Sequence, residues 1–363
     1  MRIAYVITRA DAVGGATVHV RDLARALCER GQEALVLVGG TGPVTDQLAA
    51  AGVPFRPLRS LGRAVRPWLD ARAFFELVAA LREFRPDLVS THTAKAGWLG
   101  RAACARLGIP VIHTPHGWPV AGRLPGPQAV MFELAERIAS RWARAVVCVC
   151  EEERRVALEK GFARPGQAQV IYNGVRDVPH ELRAVPASCP VRIISVARFE
   201  GPKDHATLLR ALARLGALDW ELELVGDGPL EPATRALAKK LGIAGRVRFL
   251  GYQPDAAPAL ARAQLFVLSS RSEAFPRSVL EAMRAGLPVV ASRVGGLAEA
   301  VDNEKNGVLV PRDDIGGLSA ALGGLIADVH RRQRLGAAAR LTYESRFRLE
   351  RMVEATFALY GTA

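Results

Sequence analysis

Long apolar runs and aromatic residues are scarce in this sequence of 363 residues. Aromatic side chains make up 6% of it, and its longest apolar runs, such as 143–150, are only as long as a strand. A membrane-spanning helix needs about 20 apolar residues. The first eleven residues also lack the layout of a signal peptide. We therefore expect a soluble cytoplasmic protein, with no membrane span.

Cysteine is also sparse, and its number is odd. The five cysteines follow no zinc-ligand spacing. These features argue against a disulfide framework and against a structural zinc site. Cys148 and Cys150 lie in an apolar run and are predicted to be buried thiols.

Lysine is rare among the basic residues. Only six of the 49 basic residues are lysines, and 36 acidic residues leave a net charge of +13. An arginine-rich composition also fits a GC-rich genome. The excess charge leaves three candidate partners: an anionic ligand, an anionic membrane face and nucleic acid. The low aromatic content and the lack of a nucleic-acid-binding signature argue against the third.

Short apolar runs alternate with helical patterns along the chain. Runs that are apolar on both faces and separated by helices predict parallel sheets covered on both sides. The alternation stops at 173–190, a segment with three prolines, and then starts again. We therefore predict an α/β fold of two Rossmann-like, doubly wound domains that face each other across a cleft. The predicted domains are residues 1–173 and 174–345, followed by a terminal helical segment, 346–363.

The segment 272–290 carries the most specific pattern. Glu273 follows a predicted strand, and Glu281, eight positions later, lies in the next predicted helix. The loop between them ends at a helix N-terminus, where unpaired N–H groups favour an anion such as a diphosphate. Both carboxylates can accept hydrogen bonds from sugar hydroxyls.

This segment resembles the E-x7-E signature of the retaining GT-B glycosyltransferases of family 4. Other stretches match the family in the expected order. They are Gly14–Val20, Pro115–Gly117, Ile171–Val175, Ala197–Asp204, Val225–Pro229, Phe249–Tyr252, Val294–Glu299 and Asn306–Gly307. The resemblance implies the GT-B fold, with an acceptor-side first domain, a donor-binding second domain and a terminal helix that crosses back to the first.

Three places depart from the family pattern. Ala197 replaces the usual glycine before Arg198. Ala274 replaces the usual glycine after the first glutamate, which is tolerable unless that backbone needs a positive φ. Glu200–Pro202 replaces the family's commoner Pro-Glu-Lys-Gly sequence before Lys203. The number of residues between Arg198 and Lys203 is nevertheless kept.

The resemblance implies roles for individual residues. His116, Glu273, Arg198 and Lys203 would form the catalytic group, in which the two cations stabilise the departing nucleoside diphosphate. Glu281 would hold the ribose and Glu273 the transferred sugar. The remaining donor-binding candidates are Gly14, Gly15, Gly251, Tyr252, Phe275, Pro276, Arg277, Ser278 and Val279.

No cofactor and no metal are expected. Asp313-Asp314 lies in a late loop and Asp11 stands alone, so neither forms an Asp-x-Asp cation site. The implied reaction retains the configuration of the anomeric carbon, and a leaving phosphate oxygen takes the proton of the acceptor hydroxyl.

The acceptor is expected to be a saccharide, carried on a lipid. Four arginines, at 56, 59, 63 and 66, precede Trp68, a composition that suits an anionic membrane surface. The expected location is therefore cytoplasmic, with an anionic membrane surface, the inner face of the plasma membrane, as a candidate partner. Acceptor candidates are Lys95, Arg63 and Arg66.

The resulting prediction is a hexosyl- or N-acetylhexosaminyltransferase that uses a nucleotide-sugar, expected to be UDP-linked, in polysaccharide or glycoconjugate biosynthesis. One alternative is a glycosyltransferase with a soluble small-molecule acceptor, and another is a non-catalytic nucleotide-sugar-binding protein. A sugar phosphorylase and an epimerase also stay open. A NAD-dependent dehydrogenase is disfavoured because the G-x-G-x-x-G fingerprint is missing.

Overall fold

The computed structural model describes residues 1–119 and 126–361. The chain forms two units, Met1–Tyr172 with the residues from Val353 onward, and Asn173–Met352. In the first unit all strand pairs are parallel, in the order β3-β2-β1-β4-β5-β6-β7. The strands are β1 (Arg2–Ile7), β2 (Glu33–Gly39), β3 (Phe55–Leu58), β4 (Leu88–His92), β5 (Val111–Thr114), β6 (Ala145–Cys148) and β7 (Ala168–Val170).

Helices connect these strands and cover the sheet. They are α1 (Gly15–Glu29), α2 (Pro43–Ala50), α3 (Pro67–Phe84), α4 (Ala94–Leu107), α5 (Gly126–Ser140) and α6 (Glu151–Glu159). The central strands are buried along nearly their whole length. They read as continuous apolar runs because both faces of a parallel sheet are covered.

The second unit repeats the design with six parallel strands in the order β10-β9-β8-β11-β12-β13. The strands are β8 (Val191–Val196), β9 (Trp220–Val225), β10 (Val247–Gly251), β11 (Leu265–Leu268), β12 (Val289–Ser292) and β13 (Gly307–Val310). The helices are α7 (His205–Ala213), α8 (Glu231–Lys240), α9 (Ala257–Arg262), α10 (Arg277–Ala285), α11 (Leu297–Ala300), α12 (Ile315–Ala327) and α13 (Val329–Arg346). The predicted α/β fold class is confirmed.

The last helix, α14 (Leu349–Gly361), begins in the second unit. From Val353 onward its residues group with the first unit. There the guanidinium of Arg30 lies 4.8 Å from the centre of the Phe357 ring, and the Tyr360 hydroxyl donates to Ser90 Oγ. The end of the chain is therefore part of the packing of the first unit.

Other sequence expectations have clear outcomes. Cys148 and Cys150 are buried free thiols, as predicted. In α3, Leu77, Val78 and Leu81 pack into the core of the first unit, whereas Phe75 is exposed. Among the described residues, no helix combines the length and apolar character that crossing a membrane requires.

Candidate active site

Three of the predicted catalytic residues lie together in the second unit. Arg198 and Lys203 follow β8, and Glu273 follows β11. These two strands are neighbours in the sheet and run parallel. Their carboxyl ends therefore meet at one edge, which is where ligands bind in doubly wound sheets.

Lys203 and Glu273 form an ion pair. Lys203 Nζ lies 2.5 Å from Glu273 Oε1, and the Ser270 hydroxyl donates to the same oxygen over 2.6 Å. The Glu273 side chain is only 8% exposed, and that of Lys203 is 25% exposed. The structure thus holds a cation and a carboxylate at one point, and part of the lysine stays open to a ligand.

Arg198 lies in the same group of loops. Its Nε donates to Glu200 Oε1 at 3.0 Å, and its Nη1 is 3.6 Å from Asp227 Oδ1. The loop that carries Asp227 lies close to the backbone before Arg198. A Cβ on Gly226 would be only 2.1 Å from the Ala197 carbonyl oxygen. Only glycine fits there, which accounts for its place in the Val225–Pro229 motif.

The backbone around Glu273 is fixed by a second close approach. Gly295 has a φ of +50°, and a Cβ there would lie 1.9 Å from the Glu273 carbonyl oxygen. The Gly296 amide donates to the Ala274 carbonyl at 2.8 Å. Ala274 itself lies outside the positive-φ region. The alanine that replaces the family glycine is therefore accommodated without strain.

Helix α10 presents its N-terminus beside Glu273. Its N-cap is Pro276, whose side chain makes no capping hydrogen bond. The amides of this turn can therefore bind an anion. Phe275 and Val279 are buried. The Arg277 side chain has another task, since it is buried and donates to the Gly174 carbonyl at 2.8 Å.

The other donor-binding candidates flank this group. Glu281 is half-buried in α10, and Pro276 and Ser278 are half-buried at its start. Gly251 ends β10 with a φ of +68°, and the Tyr252 ring beyond it is exposed. The role of these two residues in donor binding stays a prediction.

His116 lies in the first unit, within a histidine cluster made of His19, His92 and His116. One ligand nitrogen from each ring falls within 4.8 Å of the others, a spacing at which three imidazoles could hold a metal ion. His92 Nδ1 and His116 Nε2 are 3.0 Å apart, and the rings stack at 5.3 Å. Burial, followed by the charges of His19 and His113, holds the pKa of His92 well below its ordinary value.

Glu153 is a supporting residue that the sequence patterns did not single out. It is buried at the start of α6. It accepts hydrogen bonds from the Gly117 amide at 2.5 Å and the Val149 amide at 2.6 Å. Its carboxylate therefore holds the loop that carries His116. His19 and His92 were also missed as site residues, although His19 lies in the Gly14–Val20 stretch that matches the family.

The glycines and the acceptor candidates of the first unit differ in exposure. Gly14 and Gly15 are exposed at the start of α1, where backbone can meet an anion. Arg63 and Arg66 are also exposed. Lys95, in contrast, is buried, with Nζ 2.6 Å from Asp70 Oδ1 and a second hydrogen bond to the Ala64 carbonyl. Its charge is therefore compensated within the protein.

Comparisons with known proteins agree with this geometry. Residues 13–177 match the family model "Glycosyltransferase Family 4", and residues 190–328 match "Glycosyl transferases group 1". A 2-deoxystreptamine N-acetyl-D-glucosaminyltransferase of Streptomyces fradiae is 31% identical, covering 91% of this chain and 86% of the relative. A UDP-Gal:α-D-GlcNAc-diphosphoundecaprenol α-1,3-galactosyltransferase of Escherichia coli is 26% identical, covering 78% of this chain and 77% of the relative.

A solved structure has the same fold. The crystal structure of Anabaena Alr3699/HepE with UDP and glucose superimposes with a TM-score of 0.85 at 22% identity, over the full length of both chains. The two parallel α/β units, with the Glu273–Lys203 group at the edge of one sheet, define a GT-B glycosyltransferase. The chain belongs to glycosyltransferase family 4, and the predicted enzyme class is confirmed.

Proposed function

We propose that this enzyme transfers a sugar, with retention of configuration, from a UDP-sugar to a lipid-linked saccharide in polysaccharide or glycoconjugate biosynthesis. The observation that carries the donor half of this proposal is the 2.5 Å pair between Lys203 Nζ and Glu273 Oε1. A nucleotide-sugar needs a cation at its diphosphate and a hydrogen-bond acceptor at its sugar, and here the two groups are in contact. UDP is supported by the related structure that contains UDP and glucose.

In this proposal Arg198, Lys203 and the N-terminus of α10 bind the diphosphate. Negative charge grows on that group as the bond to the sugar breaks, so fixed cations and amides there lower the barrier. Glu273 accepts from hydroxyls of the sugar, and Glu281 from those of the ribose. The positive charge comes from the protein, and the proposed reaction therefore needs no metal ion or other cofactor.

The test is kinetic. Arg198→Ala and Lys203→Ala should each lower kcat by about 100-fold or more, because they remove stabilisation of the leaving group. Lys239→Ala is the matched control, since Lys239 is an exposed lysine on α8 of the same unit. Release of UDP should require a saccharide acceptor, which separates a transferase from a phosphorylase or an epimerase.

Metal independence has its own assay. EDTA should leave the activity of the wild-type enzyme unchanged. If EDTA abolishes activity and Mg²⁺ or Mn²⁺ restores it, the metal-free mechanism is wrong.

The lipid-linked half of the proposal rests on the surface of the first unit. Five large apolar side chains are exposed on α5 and just after it: Val130, Met131, Leu134, Ile138 and Trp142. We call them the α5 stripe. Arg137 and Arg141 are exposed beside it. Apolar residues with a tryptophan, flanked by arginines, are typical of a helix that lies in a membrane interface.

The α5 stripe adds to the four arginines at 56, 59, 63 and 66 that the sequence indicated, which we call the arginine loop. Helices α3, α4 and α5 pack side by side in chain order. The arginine loop precedes α3, and Trp68 and Phe75 are exposed on α3 itself. An anionic bilayer could therefore contact both arginines and apolar side chains on the layer formed by α3, α4 and α5. The E. coli relative, whose name specifies a diphosphoundecaprenol-linked acceptor, supports this choice of acceptor.

A soluble acceptor is the second candidate function. It is favoured by the burial of Lys95 and its pairing with Asp70, because a compensated lysine is a poor ligand for the phosphate of a lipid carrier. The relative named for 2-deoxystreptamine supports it as well. A comparison of initial rates on a free aminocyclitol and on a polyprenyl-diphosphate saccharide distinguishes the two.

A further inference from the structure

A chain of hydrogen bonds in the first unit runs from the last helix to His116. Tyr360 Oη lies 3.0 Å from Ser90 Oγ, Ser90 Oγ lies 3.0 Å from His92 Nε2, and His92 Nδ1 lies 3.0 Å from His116 Nε2. Tyr360, Ser90 and His92 are almost fully buried. Their polar atoms have to satisfy one another, because a buried group without a partner is costly.

The chain has a direction, which follows from its first bond. The phenol of Tyr360 donates to Ser90 Oγ. Within residues 1–119 and 126–361, the other hydrogen bond of the Ser90 hydroxyl is to His92 Nε2. The single hydrogen of this hydroxyl therefore points to Nε2. The nitrogen that accepts it carries no hydrogen, so the hydrogen of a neutral His92 ring sits on Nδ1.

The same reasoning carries over to His116. His92 Nδ1–H donates to His116 Nε2, which must then be the unprotonated nitrogen of the second ring. The hydrogen of a neutral His116 consequently lies on Nδ1. Burial holds the pKa of His92 well below its ordinary value, which agrees with a neutral His92 ring.

The backbone and ring contacts of His116 indicate that it is held in place. Its φ is +58°, a left-handed value that residues other than glycine seldom adopt. Such conformations persist where the surrounding structure fixes them, and they cluster at functional sites. The His19 ring meets the His116 ring edge-on at 4.8 Å, and Tyr5 stacks on His92 at 6.1 Å.

We propose that Ser90 and His92 are positioning residues that fix His116 as its Nδ1–H tautomer, so that His116 offers the transferred sugar a hydrogen-bond donor and not a base. This inference rests on the proposed function and on the role that the family resemblance implies for His116, which is to contact the transferred sugar. It deepens that function in one respect. A donor at this position leaves the acceptor proton to the departing phosphate, and the histidine orients an oxygen atom of the sugar.

The tautomer can be observed directly. Full-length protein labelled with ¹⁵N-histidine and freed of metal by EDTA gives long-range proton–nitrogen correlations for each ring at pH 7.5. For His116, assigned by its loss in His116→Gln, the pattern should show a protonated Nδ1 and an unprotonated Nε2. A protonated Nε2 on His116 in the wild type would overturn the proposal, whatever the activity of the enzyme.

Variants then test the chain. Ser90→Ala removes the donor to His92 and should shift the His116 pattern toward a mixture of tautomers. It should also lower kcat by about tenfold and leave KM for the donor unchanged. Ser90→Thr keeps the hydroxyl and should restore both readouts. Ser140→Ala is the matched control, because Ser140 is a buried serine of the same unit whose hydroxyl donates to the Arg137 carbonyl.

A second variant covers the case in which Ser90→Ala does not fold. Tyr360→Phe removes one hydroxyl at the start of the chain and should also mix the tautomers of His116. An unchanged pattern in both variants would show that Ser90 and Tyr360 do not set the tautomer. If His116→Gln is fully active while the wild-type tautomer is as expected, the catalytic role of His116 fails and the hydrogen-bonded chain stands.

Discussion

At the scale of single residues, the proposed donor site places its two glutamates in different surroundings. Lys203 and Glu273 are in contact, whereas Glu281 is half-buried further along α10. The E-x7-E spacing puts these two carboxylates on different parts of one loop and helix. This arrangement lets each of them meet a different group of the same donor.

Glu281 gives the first prediction at this scale. If its carboxylate accepts hydrogen bonds from the ribose, Glu281→Ala should weaken UDP binding by about 1–3 kcal/mol, the usual loss for charge-assisted hydrogen bonds. Isothermal titration calorimetry measures this change. The control is Glu354→Ala, which removes an exposed glutamate from α14. Equal UDP affinity in the wild type and the Glu281 variant would contradict the assignment.

His205 gives a prediction about acid stability. It lies two residues after Lys203 and is buried. Its ring stacks on that of Phe199, with the ring centres 4.4 Å apart. Burial, and next the charge of Lys203, lower its pKa to about 4. In the unfolded chain the value is about 6.5, so the unfolded state binds the proton first as the pH falls. The neutral ring therefore contributes stability above pH 6.5, and that contribution is lost on going down toward pH 4.

Urea unfolding at pH 7 and pH 4.5 measures this contribution. The wild type should lose about 2–3 kcal/mol more than His205→Gln over this interval, since a shift of one unit corresponds to about 1.4 kcal/mol. The variant loses the ring stack at both pH values, so only the difference between the two pH values counts. An equal loss in the two proteins would show that His205 is not the titrating group.

At the scale of elements, α5 has two contrasting faces. On the inner face Glu136 is fully buried, with Oε1 2.7 Å from Arg101 Nη1 and Oε2 accepting from Trp98 Nε1. On the outer face lies the α5 stripe. Removing one partner of a buried ion pair typically costs about 3–5 kcal/mol. The inner face therefore anchors the helix, and the apolar outer face is a fixed feature of the surface.

This geometry predicts how the enzyme meets a membrane. Leu134→Ser with Ile138→Ser should reduce cosedimentation with anionic vesicles by about tenfold, because both remove apolar area from the α5 stripe. Replacing Arg56, Arg59, Arg63 and Arg66 by Gln should have a similar effect, since each charge contributes about 1 kcal/mol near an anionic surface. Salt should weaken binding of the wild type.

Two controls make this assay specific. Leu230→Ser removes an exposed leucine of the second unit and should bind vesicles like the wild type. Activity on a short soluble acceptor should be the same in the Leu134→Ser, Ile138→Ser double variant and in the Leu230→Ser control. Wild-type protein that ignores anionic vesicles at low salt would favour the soluble-acceptor function.

At the scale of the whole molecule, the chain end and the donor site belong to different units. Residues from Val353 onward group with the first unit, and the Lys203–Glu273 pair lies in the second. Removing residues 353–363 would take away Val353, Thr356 and Tyr360, which are all buried. Each large apolar side chain lost from the interior costs about 1.5–3 kcal/mol.

The truncated protein should therefore be destabilised in the first unit by several kcal/mol and still bind UDP. Differential scanning calorimetry, with and without UDP, separates the two effects because a ligand stabilises the unit that binds it. The full-length chain is the control. Loss of all UDP binding in the truncated protein would contradict the independence of the donor site.

Most elements with strong periodicity were predicted close to their observed positions. The apolar run 3–7 predicts a strand, and the patterns over 94–107 and 279–285 predict helices. The structure has β1, α4 and α10 there, because a buried parallel strand or a one-sided helix leaves a clear pattern. Helix α2 and strand β3 were missed. Strand β3 reads Phe-Arg-Pro-Leu at the edge of its sheet and is half exposed, so no apolar run marks it. Edge strands pack on one side only and are weakly encoded.

The sequence by itself determined the fold class and the family and indicated the residues of the candidate donor site, since these depend on local periodicity and on motifs of fixed spacing. Only the tertiary structure decided which side chains meet. It paired Lys95 with Asp70, placed the Glu153 carboxylate on the Gly117 amide, and joined Tyr360 to His116 through Ser90 and His92. Those contacts connect residues far apart in the chain, and the packing of helices on a parallel sheet brings them together.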